Sequence, residues 1–307
     1  MSYLCVDGGQ TKTAVSLLDA EGETIEFWTE RSLTTPSKPG AKENLRKVVR
    51  SVAEELRRKV AHLKDAAPEA ACFSLTGYLG EDDTVPSLVG EELEKVVPEL
   101  KRVHIVPDYV GNWAAATRGE PGIIIISGGG SVVYGRDASR SSLRVGGWGH
   151  LLGDEGSGYW IGLEAIRAAL RSWAGMMPKT GLEGRLMEKF GLADDLEFLS
   201  AVYSGELSEA QIAGLVPLVV SLSEEGDEAS DRIIEAAARH LADYCSAALD
   251  RLGTTRVYPS GGVFKAQDMQ ERFGRLLYEA GYNVEVLPTT AEPSEGIFLI
   301  ARGVVFE

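Results

Sequence analysis

The sequence predicts a two-domain α/β protein built from a duplicated unit, each copy opening on a strand, a glycine turn and a second strand. Three observations support this. DGGQTKT at Asp7–Thr13 and ISGGGS at Ile126–Ser131 set two glycine hairpins about 120 residues apart. Strand-length apolar runs alternate with amphipathic helical stretches. A chain of 307 residues, 44% hydrophobic, is long enough for two packed cores. The spacing is too long for a solenoid, whose repeats recur every ~20 to 50 residues.

Tyr3–Asp7 reads as a buried strand, Gly8–Lys12 as a tight turn, and Thr13–Leu18 and Thr24–Thr29 as two further strands of a meander. From Lys42 to Leu63, apolar residues at 45, 48, 49, 52, 56, 60 and 63 follow helical spacing. Strand Ala70–Leu75, a helix near Glu81–Val97, strand Val103–Pro107 and a small-residue helix around Gly111–Thr117 complete the first copy. The second copy begins with strand Gly122–Ser127, the GGG turn and strand Ser131–Arg136, followed by a strand near Leu143–Val145. Helices dominate from Gly158 to Leu252; the clearest carries Ile233, Ala237, Leu241, Tyr244, Ala248 and Leu252 on one face. Strand Arg256–Pro259, the SGG turn, a helix to about Ala280, strand Val284–Leu287 and a last helix from Pro293 finish the chain. One Pro-rich loop, TTPSKPG, spans Thr34–Gly40.

Composition narrows the function. A net charge of −15 makes the average surface repel phosphate backbones and anionic lipid, so neither nucleic acid nor a membrane is an expected partner. The longest aliphatic run, Ile123–Ile126, is far short of the ~20 residues of a membrane span. The N-terminus enters a strand directly without a secretory pattern, so a cytoplasmic protein is expected. Cys5, Cys72 and Cys245 are isolated from one another in sequence and read as small buried apolar residues.

Four motifs carry chemistry. In DGGQTKT, Gly8 and Gly9 let the backbone approach an anion while Gln10, Thr11 and Lys12 add donors; Asp7 stands where it could orient Mg²⁺ through water. It is not a Walker loop, since the G-x-x-x-x-G-K-[ST] spacing is absent. Alone, such a hairpin could simply turn the chain; its recurrence as Gly128, Gly129, Gly130 and Ser131 favours two turns that hold a polyphosphate. PSGGVFK sets Gly261 and Gly262 ahead of a helix whose first amides are available to a nucleotide. GGWGHLLGDEGSGYW, Gly146–Trp160, packs six glycines, two tryptophans, two carboxylates and a histidine into fifteen residues. Helix capping accounts for Asp154 and Glu155 but not for Gly146, Gly147, Gly149 and Gly153. His150, beside Trp148, reads as a structural hydrogen bonder.

In this order, the four motifs resemble those of the N-acetylglucosamine kinase branch of the BadF/BadG-type ATPases, within the sugar kinase, Hsp70 and actin superfamily. The likeness covers essentially the whole chain. It implies a duplicated ribonuclease H-like, actin-like ATPase fold with an interdomain cleft. Residues 1–109 with 293–307 would form the N-terminal domain, and 110–292 the C-terminal domain with a helical insertion. It further implies an ATP-dependent, Mg²⁺-requiring sugar kinase, commonly a homodimer. Asp108 matches the general base; a helix cap is the alternative for that residue. Thr76, Asp108, Gly147, Trp148, Gly149 and Asp154 match sugar contacts, Gly8–Lys12 and Gly128–Ser131 phosphate contacts, and Gly261 and Gly262 the adenosine floor. Two departures stand out: Gly129 replaces the family's threonine, and TTPSKPG replaces an asparagine-bearing loop, leaving Thr34, Thr35, Ser37 or Lys38 to meet the sugar. Two other classes remain open. An ATPase driving electron transfer would need cysteines for an iron–sulfur cluster, and a catalytically silent sugar sensor would ordinarily carry a DNA-reading module.

Overall fold

The computed structural model describes residues 1–9, 11–33, 40–61, 68–80, 83–100 and 102–305. Gln10, Thr34, Thr35, Ser37, Lys38, Leu63 and Glu81, all named in the sequence reading, lie outside the described residues. The chain forms two compact units, Met1–Glu120 with Thr290–Glu307, and Pro121–Thr289. The dividing points fall at 120/121 and 289/290, against the expected 109/110 and 292/293.

The first unit carries strands β1 (Ser2–Gly8), β2 (Thr13–Asp19), β3 (Thr24–Glu30), β4 (Ala70–Leu75) and β5 (Arg102–Pro107). Its helices are α1 (Ala41–Val60), α2 (Thr84–Val96) and α3 (Asp108–Thr117). The sheet order is β3-β2-β1-β4-β5, with β1, β2 and β3 antiparallel and β1, β4 and β5 parallel. One face of α1, Leu45, Val48, Val49, Val52 and Leu56, buries against Leu4, Val6, Phe73 and the α2 residues Leu88 and Val89. Each such side chain contributes roughly 1.5–3 kcal/mol on burial.

Helix α3 begins at Asp108, three residues earlier than the small-residue run suggested. Pro107 is extended (φ −59°, ψ 150°) and suits a helix entry, and a carboxylate on the first turn is favoured by the helix dipole. The last helix of the chain, named below, returns to pack on α3, β1, β4 and β5, which keeps α3 in this unit.

The second unit repeats the pattern. Strands β6 (Gly122–Ser127), β7 (Ser131–Arg136), β8 (Ser142–Gly146), β9 (Arg256–Ser260) and β10 (Glu285–Val286) are ordered β8-β7-β6-β9-β10. Here too the first three are antiparallel and the rest parallel. The expected duplication is therefore present strand for strand. Helices α4 (Gly158–Trp173), α5 (Leu182–Phe190), α6 (Asp195–Tyr203), α7 (Glu209–Ala213), α8 (Val216–Glu224) and α9 (Glu228–Leu252) intervene before β9. Ile233, Ala237, Leu241, Ala248 and Leu252 of α9 bury in one core with Ile123, Ile125 and Val257. After β9 comes a single 3-10 turn, Val263–Lys265, and α10 starts only at Gln267 and runs to Glu279. The expected helix opening directly behind Gly262 is thus one turn followed by a break, because Ala266 is extended (ψ 122°). The last helix, α11 (Pro293–Ala301), starts at Pro293 as expected, closed by a reciprocal Glu292/Glu295 capping box.

Candidate active site

In the first unit the site residues gather at the carboxyl ends of the parallel strands, where open α/β sheets bind ligands. Register fixes this. Asp7 of β1 pairs with Ser74 of β4, and Leu75 of β4 with Pro107 of β5, so Asp7, Thr76 and Asp108 emerge at one edge. The Thr76 N–H donates to the Gly8 carbonyl at 2.9 Å, and its hydroxyl donates to Oδ2 of Asp108 at 3.0 Å. The Tyr109 N–H donates to Oδ1 of Asp108 at 2.8 Å. Asp108 keeps an intermediate exposure as a residue, yet its carboxyl lies deep enough that burial raises its pKa, against the lowering effect of the two donors. Asp7 is pushed up to about 6, first by burial and then by the charge of Asp108.

The Gly9 N–H donates to the Lys12 carbonyl at 3.1 Å, closing the hairpin, while the Thr11 and Lys12 side chains are exposed. Among the described residues no group of three or more His, Cys, Asp or Glu could hold a metal ion. The Asp108 charge adds to burial in raising the Asp7 pKa, a repulsion that a divalent cation beside Asp7 would relieve.

In the second unit three of the sequence motifs meet. The hairpin Gly128–Gly130 joins β6 to β7, and Gly129 is exposed with open space at its α-carbon. Gly261 (φ 99°) lies so close to the hairpin that a Cβ would sit 2.2 Å from the Ser127 carbonyl oxygen. Loop 146–157 runs alongside. The Ser127 hydroxyl donates to the Gly156 carbonyl and the Ser131 hydroxyl to the Glu155 carbonyl, each at 2.9 Å. The Gly147 N–H donates to the Ser131 carbonyl at 3.0 Å, and the Gly158 N–H to the Gly128 carbonyl at 2.7 Å.

Asp154 is buried beside this seam, where burial raises its pKa and the nearby backbone amides of Ser131 and Gly149 act in the opposite direction. Trp148 is half exposed and meets Tyr244 of α9 edge to face, with centroids 6.1 Å apart. Gly149 has open space around it. His150 packs on Tyr159 and lies 3.9 Å from Glu209.

Sequence reasoning missed one contact. Tyr244, counted only as part of the apolar face of α9, donates its hydroxyl to the Glu155 carboxylate and so pins the loop to the helix. A tyrosine on an otherwise aliphatic stripe was the available signal, since its polar tip needs a partner when half buried. The cysteines are all buried; Cys5 and Cys72 are paired neighbours on β1 and β4, and burial raises all three thiols. Among the described residues no helix is long and apolar enough to cross a membrane.

The sequence profile of the BadF/BadG/BcrA/BcrD ATPase family matches residues 4–298. The chain is 29% identical to the N-acetyl-D-glucosamine kinase of Dictyostelium discoideum over 313 aligned positions, covering 97% of each chain. It is 30% identical to the N-acetylmuramic acid/N-acetylglucosamine kinase of Clostridium acetobutylicum over 310, covering 98% and 99%. A crystal structure of a protein assigned as an N-acetylglucosamine kinase from Chromobacterium violaceum superposes with a TM-score of 0.73 at 22% identity, covering 97% and 98%, a likeness of fold.

Proposed function

Since the chain belongs to the BadF/BadG/BcrA/BcrD ATPase family, we propose that it is an ATP-dependent kinase transferring the γ-phosphate to a hydroxyl of an amino sugar, N-acetylglucosamine or glucosamine, or a related hexose. Its fold is the duplicated actin-like ATPase fold. The observation that carries the reading is the desolvated Asp108 carboxylate, held by two donors beside Asp7 at the carboxyl edge of the first sheet.

In this reading the Asp108 carboxylate accepts the sugar hydroxyl proton as the sugar oxygen bonds to the γ-phosphorus, and the bond from that phosphorus to the β–γ bridging oxygen breaks to release ADP. Gly8, Gly9, Gln10, Thr11, Lys12 and Gly128–Ser131 bind phosphates, and Gly261 and Gly262 flank adenosine. Asp7 would hold Mg²⁺ through water; the cation supplies neutralisation of phosphate charge. Thr76, Asp108, Gly147, Trp148, Gly149 and Asp154 serve the sugar, directly or by placing those that do. Catalysis is then mainly positioning and electrostatics, which suits a site with one base and many glycines. A cytoplasmic homodimer belongs to the same reading and rests on the family resemblance. The test is a panel of hexoses, amino sugars and N-acetyl amino sugars scored for ADP release, with the phosphorylated position mapped by NMR. Sugar-independent ADP release across the whole panel would overturn the kinase assignment.

A further inference from the structure

The seam between hairpin 127–131 and loop 146–158 carries more than the phosphate and sugar roles given separately to its two sides. Four hydrogen bonds cross it: Ser127 to Gly156, Ser131 to Glu155, Gly147 to Ser131 and Gly158 to Gly128. The Asp154 carboxylate, carried by the loop, lies against the hairpin at Gly130, and the amides of Ser131 on the hairpin and Gly149 on the loop favour its ionised form. The fit around it is close. A Cβ added to Gly130 would lie 2.7 Å from Oδ2 of Asp154, so the hairpin accepts only glycine there while the carboxylate keeps its place. The backbone at Asp154 is also unusual. Among the described residues only Arg118, Arg140 and Asp154 have positive φ without being glycine, and of these Asp154 (φ 60°) alone is buried. A left-handed backbone at a buried aspartate is a cost that the surrounding bonds must offset.

Taking the proposed kinase reading as its basis, we propose that Asp154 is a positioning residue that joins the sugar loop and the phosphate hairpin into one hydrogen-bonded body, so that binding at either segment orders the other. A carboxylate that ties two segments together differs from one that only ligates sugar. Ligation alone affects sugar binding. A junction affects nucleotide binding with no sugar present, and by linkage it sets a coupling that is the same in both directions.

Asp154→Asn keeps the volume and tolerates the left-handed backbone, but an amide NH₂ replaces one acceptor oxygen and cannot accept from a backbone N–H. In the unliganded full-length protein, exchange of the Ser131 and Gly149 amide hydrogens should speed up at least about tenfold. The Kd of a non-hydrolysable ATP analogue, measured without sugar, should rise about tenfold. The factor by which N-acetylglucosamine tightens that analogue in the parent protein should fall toward one. Gly130→Ala, which displaces the carboxylate from the opposite side, should reproduce all three effects and decides the matter if Asp154→Asn fails to fold.

Unchanged exchange at both amides, or a variant that loses sugar affinity while binding the analogue normally without sugar, would overturn the proposal. Failure of the parent protein to bind the analogue or any amino sugar would instead sink the kinase reading, and the amide exchange would still report on the junction.

Discussion

Thr76 donates its hydroxyl to Oδ2 of Asp108 at 3.0 Å, and it does so from a backbone whose own N–H is bonded to Gly8 of the first hairpin. One residue thus fixes the carboxylate proposed as proton acceptor relative to the turn proposed to bind phosphate. The bond also lowers the carboxyl pKa against the raising effect of burial.

Thr76→Val should therefore lower kcat by about 10²-fold through a misplaced carboxylate, with the KM for ATP little changed. Loss of a donor raises the Asp108 pKa, so the acidic limb of the kcat–pH profile should move to higher pH. Thr76→Ser should restore both the rate and the profile, which a purely steric role for the side chain would not predict.

Asp108→Ala should reduce kcat by about 10²- to 10⁴-fold, the usual worth of a general base, while leaving nucleotide affinity nearly intact. Steady-state kinetics together with calorimetric titration of an ATP analogue separate the two quantities. Undiminished turnover would remove Asp108 from the mechanism.

Asp7→Asn should stabilise the protein while abolishing efficient turnover. The folded pKa of about 6 lies above the ordinary carboxylate value of 3.8, so folding favours the protonated form. The cost of the ionised carboxylate is absent below about pH 3.8, grows as pH rises, and is complete above about pH 6. The variant should gain about 2–3 kcal/mol at pH 7.5 and only about 0.5 kcal/mol at pH 4, read from denaturant unfolding at both values.

Gly129→Thr should be tolerated, because the position is exposed, lies outside the left-handed region and has open space where a side chain would grow. Stability should hold or rise slightly through a less flexible unfolded chain. If this hairpin binds phosphate as proposed, the added hydroxyl should lower the KM for ATP by about 3- to 10-fold, the worth of one net hydrogen bond.

Much of this architecture was legible in the residues themselves. Strands β4, β6 and β7 match their predicted bounds residue for residue, because each is a short, largely apolar run ended by a turn-favouring or polar residue, Thr76 after β4, Gly128 after β6 and Asp137 after β7. Both hairpins were visible for the same reason. Helix α3 was misplaced by three residues because composition signals the small-residue middle of a helix, whereas its start depends on Pro107 and on a carboxylate meeting the first amides. The helix after Gly262 was misread because the 3-10 turn and the extended Ala266 leave no mark in hydrophobic spacing. Asp108 could be matched to a motif, but its partner could not: the Thr76 hydroxyl reaches it only because β4 and β5 pair in register. The contact from Tyr244 to Glu155 spans 89 positions and is set by how α9 crosses the loop, which no local pattern encodes.

The fate of the terminal phosphate is the most direct test of the whole account. Incubating the protein with Mg·ATP and N-acetylglucosamine and following the reaction by phosphorus NMR should show ADP and a sugar phosphomonoester appearing in equal amounts, with the sugar required and the Asp108→Ala protein inert. Inorganic phosphate released at the same rate with or without sugar, and no phosphomonoester, would contradict it.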